Sequence, residues 1–135
     1  MTQGHLVHVA AGIIWRQGRF LAAQRPEGKS RAGFWEFPGG KQEAGETLEQ
    51  TLLRELDEEL GIRCTAMQPW LKLEHSYPEL TVSLHFIHVT AFEGEPEPRD
   101  GQALAWLRPR EALRLNFLPA DRAIIKDLRC PDSAL

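Results

Sequence analysis

Between Thr47 and Leu60 the chain has no glycine or proline, and Leu48, Leu52, Leu56 and Leu60 recur every four residues with Leu53 beside them. Apolar side chains at that period stack along one side of a helix and require a surface to bury them against, so the segment predicts an amphipathic α-helix. Thr47 with Gln50 three positions on has the pattern of a capping box, and Gly61 supplies the stop.

The chain around this helix reads mainly as strands. Residues 5–15 are rich in valine and isoleucine, Gln17-Gly18 punctuates the run, and residues 19–24 continue in the same style, which predicts a β-hairpin. A polar, glycine-containing loop follows over residues 26–33, then a short apolar strand over 34–37 that Pro38-Gly39-Gly40 breaks. Residues 66–75 and 80–92, separated by the turn-like Ser76-Tyr77-Pro78-Glu79, predict a second hairpin with Leu80, Val82, Leu84, Phe86 and His88 on one face. Residues 94–101 are a loop by composition, 103–107 a last strand, and 119–129 a terminal helix that begins at a proline. This order of elements predicts an α/β layered domain with a mixed sheet.

With 135 residues and 42% hydrophobic content, the chain suits one compact domain over residues 1–135 and leaves no room for a second of normal size. The formal net charge is -3 and no run of five basic residues occurs, so no footprint for a nucleic-acid polymer is expected. The apolar stretch over residues 9–15 is too short to cross a bilayer and lacks signal-peptide flanks, giving the expectation of a cytoplasmic protein without a membrane partner. Cys64 and Cys130 lack metal or CxxC spacing and are expected as free thiols. Trp15, Trp35, Trp70 and Trp106 read as packing residues, and His75, His85 and His88 lack metal spacing.

The predicted helix carries an unusual charge pattern, Arg54-Glu55-Leu56-Asp57-Glu58-Glu59. At about 100° per residue, Glu55, Glu58 and Glu59 fall within an arc of roughly 100° that borders the leucine stripe, while Asp57 points elsewhere. Like charges at i and i+4 destabilise a helix, and an ordinary solvated face interleaves lysines to avoid this. Glutamates without histidine or thiol neighbours suit a hard, oxygen-seeking cation such as Mg²⁺, which keeps several waters and shares its coordination sphere with substrate phosphates. Zinc or copper would call for imidazole or sulfur.

Read outward from these glutamates, Gly40, five residues, Glu46, seven residues and then Arg54-Glu55-Leu56-Asp57-Glu58-Glu59-Leu60-Gly61-Ile62 is similar at every fixed position to the Nudix box. With seven fixed residues at roughly 7% each, chance agreement is about one in 10⁸ per start position. Beyond the box, Trp35-Glu36-Phe37-Pro38-Gly39-Gly40-Lys41, Glu93-Gly94-Glu95-Pro96 and Pro119-Ala120-Asp121 resemble the MutT-type branch, whose members remove damaged nucleoside triphosphates. The resemblance implies an α/β/α sandwich with a mixed sheet. It also implies Mg²⁺-dependent hydrolysis of a nucleoside triphosphate to monophosphate and pyrophosphate, with Mn²⁺ a substitute metal, in a monomer or weak dimer that serves nucleotide-pool sanitisation and replication fidelity.

Carried over by position, the resemblance assigns the metal to Glu55, Glu58 and Glu59 with the carbonyl of Gly39, and adds Asp100 as a further acidic ligand or base. Arg54 and Glu46 become supporting residues of the catalytic segment, Arg54 orienting the carboxylates. Arg25 occupies the place of an arginine that touches substrate phosphates, and Phe37 and Tyr77 are candidates to stack on the base, Phe37 competing with a core role. Either Glu55 or Asp100 would take the proton from the attacking water.

Base recognition falls to Asp121, where the founding MutT pattern carries asparagine. An amide donates and accepts and so pairs with both the O6 acceptor and the N7 hydrogen of 8-oxoguanine, whereas an ionised carboxylate only accepts. Aspartate therefore shifts weight toward cytidine nucleotides, unless a buried carboxyl keeps its proton and donates as well. A plain helix-capping role is the other reading of Asp121. The expected substrate is 8-oxo-dGTP, with CTP or a 5-modified dCTP as the alternative. A non-catalytic nucleotide-sensing module is the remote one, since this chain keeps all the glutamates.

Overall fold

The computed structural model describes residues 5–134. Its central strand is β1 (His5–Arg16), which pairs along both of its edges. On one side His5 to Ile14 lie in parallel register with Leu80 to Val89 of β6 (Leu80–Glu93), and on the other Val9, Ala10 and Ala11 pair antiparallel with β4 (Gly39–Lys41). The end of β1 turns into β2 (Arg19–Gln24) through Gln17 and Gly18, at φ 53° and 77°, the pair of positive values that a type I′ hairpin turn requires. The first predicted hairpin is thus present, although only Trp15 and Arg16 pair across it.

β3 (Trp35–Glu36) and β7 (Ala103–Leu107) pair antiparallel with β2, and β5 (Arg63–Ser76) pairs antiparallel with β6 as the second predicted hairpin. The result is a mixed sheet in the order β3-β2-β1-β6-β5. Three sequence expectations need correction. Pro38-Gly39-Gly40 does not end strand structure, because Gly39 and Gly40 pair with β1 where side chains would not fit: a Cβ on Gly39 would run into the Ala10 carbonyl. A short helix α2 (Pro109–Ala112) was not foreseen, and the terminal helix α3 (Pro119–Ile125) ends four residues before Arg129.

α1 (Leu48–Leu60) forms as its sequence dictates. Thr47 Oγ1 accepts from the Gln50 amide at 3.1 Å, Gln50 Oε1 accepts from the Thr47 amide at 2.8 Å, and Gly61 closes the helix at φ 70°. The strand alternation of β1 splits the core between the two faces of the sheet. Ala10 and Ile14 join Leu52, Leu56 and Leu60 of α1 with Ile87 and Val89. Ala11, Ile13 and Trp15 join Phe20, Phe37, Phe86, Phe117 and the Ile124 and Ile125 of α3. Helices therefore cover both faces, the α/β/α sandwich expected. Cys64 is buried, Cys130 is half-buried, and both are free. Among the described residues no helix is long and apolar enough to cross a membrane.

Candidate active site

The β4 pairing brings the N-terminal approach of α1 against β1 and leaves a cavity of about 340 Å³ over the edge of the sheet. Its walls include β1 (Val9 to Ala11), β3 with the Pro38-Gly39-Gly40 segment, Arg25 with the loop that follows it, Glu59 of α1, the turn carrying Tyr77 with Val82 and Leu84 of β6, the loop carrying Asp100, and the first turn of α3 with Asp121. Of the residues singled out from sequence, Arg25, Phe37, Gly39, Glu59, Tyr77, Asp100 and Asp121 line this cavity.

The three glutamates are not equivalent. Glu55 and Glu59 stand about 40° apart around α1, whereas Glu58 lies about 100° from Glu59. Glu59 enters the cavity, where the Gly39 backbone lies beside its carboxyl group. Burial pushes its carboxyl up to about 8, reinforced by the nearby charges of Glu55, Asp100 and Glu36. Glu55 sits behind Gly40, so close that a Cβ on Gly40 would collide with the Glu55 carboxyl group, and burial raises its pKa against the pull of Arg54. Glu58 is 59% exposed on the outer flank and reaches only Arg54, at 3.6 Å.

Arg54 holds the arrangement from outside the cavity. Its Nε donates to Glu46 Oε2 at 2.6 Å, Nη1 to Glu55 Oε2 at 3.0 Å and Nη2 to the Lys41 carbonyl at 3.1 Å. Glu46 also accepts from the Glu43 amide and the buried Thr51 hydroxyl, both at 2.9 Å. These contacts hold the Glu46 carboxyl down at about 2, with the Arg54 hydrogen bond the largest cause, and raise the affinity of Arg54 for its proton.

Among the described residues no three His, Cys, Asp or Glu side chains are gathered closely enough to enclose a metal by themselves. The donor chemistry still fits Mg²⁺. Glu55 and Asp100 both repel the half-buried Glu59, all three offering oxygen donors, and the cation at Glu55 and Glu58 is the Arg54 guanidinium. A divalent ion there would relieve the repulsion that raises Glu59, completing its shell with water and phosphate oxygens.

At the other end of the cavity, Asp121 is the third residue of α3. Leu118 occupies the N-cap and no side chain caps the helix, so the capping reading of Asp121 fails. Its Oδ2 instead accepts from the Phe37 amide at 3.3 Å, and burial raises its carboxyl to about 8, with Glu36 adding repulsion. Phe37 is 4% exposed and its ring packs against Phe20, Phe86 and Phe117, the core role that competed with stacking; its amide is what fixes Asp121. Tyr77 stands at the rim, edge-on to His75 with ring centroids 4.7 Å apart and under the Arg31 guanidinium at 4.9 Å.

Arg25 donates from Nη1 to both carboxylate oxygens of Glu36, at 3.0 and 3.1 Å, and from Nε to the Ser30 carbonyl at 2.7 Å, so it is a half-buried anchor of the 26–33 loop as well as a cavity cation. Sequence reasoning passed over Glu36, Lys29 and Lys41, all of which line the cavity. Glu36 had left a signal, a lone charge inside a short apolar strand.

A NUDIX domain profile matches residues 9–127. The chain is 40% identical over 121 residues to the CTP pyrophosphohydrolase of Escherichia coli (strain K12), covering 90% of each chain. It is also 40% identical over 124 residues to the 8-oxo-dGTP diphosphatase of Haemophilus influenzae, covering 91% of each. In structure it resembles the solution structure of the Escherichia coli ORF135 protein, with a TM-score of 0.83 at 40% identity over 91% of this chain and 88% of that one.

Proposed function

Because the chain belongs to the Nudix hydrolase family, we propose that it is a Mg²⁺-dependent pyrophosphohydrolase that cleaves 8-oxo-dGTP to the monophosphate and pyrophosphate, in the cytoplasm where the nucleotide pool lies. The observation that carries the substrate is the buried Asp121 carboxyl. With its pKa near 8 it keeps a proton at neutral pH, so it donates to the O6 of 8-oxoguanine and accepts from the N7 hydrogen. Guanine itself offers acceptors at both positions and pairs with only one of the two.

The triphosphate then extends toward Glu59, past Lys41, Lys29 and Arg25, which offset its charge. Glu55, Glu58 and Glu59 with the Gly39 carbonyl would hold Mg²⁺, which would supply charge neutralisation on phosphate oxygens and a lowered pKa for a bound water. Asp100 lines the cavity beside Glu59 and is the better placed base, since Glu55 is tied to Arg54 behind Gly40. Asp100 accepts the proton as water adds to phosphorus, and pyrophosphate leaves. Arg54 and Glu46 position the glutamates without touching substrate.

CTP or a 5-modified dCTP is the second reading, favoured by the 40% identity to a CTP pyrophosphohydrolase. A protonated carboxyl also matches cytosine, accepting from the exocyclic amine and donating to the ring nitrogen. Purified protein supplied separately with 8-oxo-dGTP, dGTP, CTP, dCTP and 5-methyl-dCTP separates the readings. A kcat/KM for 8-oxo-dGTP at least about tenfold above every other substrate supports the first, and a preference for a cytidine nucleotide replaces it with the second.

A further inference from the structure

Away from the catalytic cavity, and sharing no lining residue with it, a shallow groove runs between the β1–β2 turn, α2 and the C-terminal end of α3. Arg108, Arg110, Lys126 and Arg129 frame it, all exposed. Among the described residues none of the four makes a side-chain hydrogen bond or an ion pair, in contrast to Arg16 at the near end of β1, which pairs with Glu95. Of the acidic residues near the four in sequence, Glu111 is turned to the Arg108 backbone amide at 2.7 Å, and Asp127, between Lys126 and Arg129, neither lines the groove nor pairs with any of the four. In a chain of net charge -3, this leaves four cations without a carboxylate partner around one groove.

Local helix electrostatics do not explain the set. Lys126 at the C-cap of α3 suits the negative end of that helix, but Arg108 precedes the first turn of α2, where a cation is disfavoured. The groove is also partly apolar. Ile125 and Leu128 form its floor, and Leu113, 42% exposed, is one of two large apolar side chains left exposed among the described residues.

We propose that this groove docks an acidic peptide segment of a partner protein that carries an apolar side chain for Leu113. Charge complementarity selects the acid, and the exposed leucine with its apolar floor selects a side chain over a bare anion. Single-stranded nucleic acid would call for aromatic rings on which bases stack, and no aromatic residue lines the groove.

The test is an amide NMR titration of the full chain with a peptide of repeating Glu-Glu-Leu, with a Lys-Lys-Leu peptide and a thymidine oligonucleotide as comparisons. The expected result is saturable shifts confined to Gly18 and residues 108–113 and 125–129 with the acidic peptide alone. Affinity should fall by about tenfold or more in Arg108→Glu/Arg129→Glu, and Leu113→Asn should weaken binding without changing its salt dependence. These surface variants keep wild-type hydrolysis rates, which separates loss of docking from loss of the catalytic fold. No groove shifts with the acidic peptide, equal binding by the variants, tighter binding of the oligonucleotide, or shifts traced to self-association of the chain would each overturn the proposal.

Discussion

Arg54 Nε and Glu46 Oε2 lie 2.6 Å apart, an ion pair that ties the second turn of α1 to the segment leading into it. Because the same guanidinium also holds Glu55 at 3.0 Å and the Lys41 carbonyl at 3.1 Å, it fixes the Glu55 carboxylate relative to β4. Arg54→Lys keeps the charge but cannot span three acceptors at once. We expect kcat or Mg²⁺ affinity to fall about 10–100-fold with the circular dichroism spectrum unchanged. Wild-type kinetics in that variant would show that Arg54 only decorates the helix.

The depressed Glu46 carboxyl makes a pH prediction with a definite sign. Its folded pKa of about 2 lies below the ordinary 4.5, so its contribution to stability is present above pH 4.5 and is lost as pH falls through the folded value. Thermal unfolding of Glu46→Gln should therefore show a Tm deficit at pH 6 that narrows steadily toward pH 2. A deficit independent of pH would assign the loss to packing instead.

Gly40→Ala tests the close approach of β4 to α1. The added Cβ meets the Glu55 carboxyl group and must displace it. A displacement on the order of 1 Å in a catalytic group costs up to about 100-fold in rate. Activity should drop on that scale while the protein remains folded, and an unchanged rate would place Glu55 outside the machinery.

Several of these features are legible in the amino-acid sequence alone. The leucine period and the Thr47 and Gly61 signals give α1 to the residue, and angular placement separates Glu55, Glu58 and Glu59 from Asp57. What a helical wheel does not contain is where the cavity opens. That is decided by β4 and the Asp100 loop, and it sends Glu59 inward while Glu58 stays on the outer flank. β4 itself was hidden because glycine is a poor strand former, and only the crowding against β1 makes it the residue that fits. Asp121 read equally as cap or base reader until α3 placed Leu118 at the cap and the Phe37 amide against the carboxylate.

Asp121→Asn addresses base recognition and stability together. A folded pKa near 8 against an ordinary 3.8 means the folded protein binds a proton that the unfolded chain releases, so stability declines as pH rises from 3.8 toward 8. The asparagine variant should unfold at a higher temperature than wild type at pH 7.5, with the difference vanishing near pH 4. It should also keep its 8-oxo-dGTP activity above pH 8, where wild-type kcat/KM declines as Asp121 ionises. Parallel pH profiles in the two proteins would remove Asp121 from base recognition.

The most direct measurement incubates wild-type protein and Glu59→Gln with 8-oxo-dGTP and Mg²⁺ and identifies both products. The account predicts 8-oxo-dGMP and pyrophosphate from the wild type, none when the metal is chelated, and a loss of about 100-fold or more in Glu59→Gln with the fold retained. Release of orthophosphate and a nucleoside diphosphate, or undiminished turnover in Glu59→Gln, would contradict it.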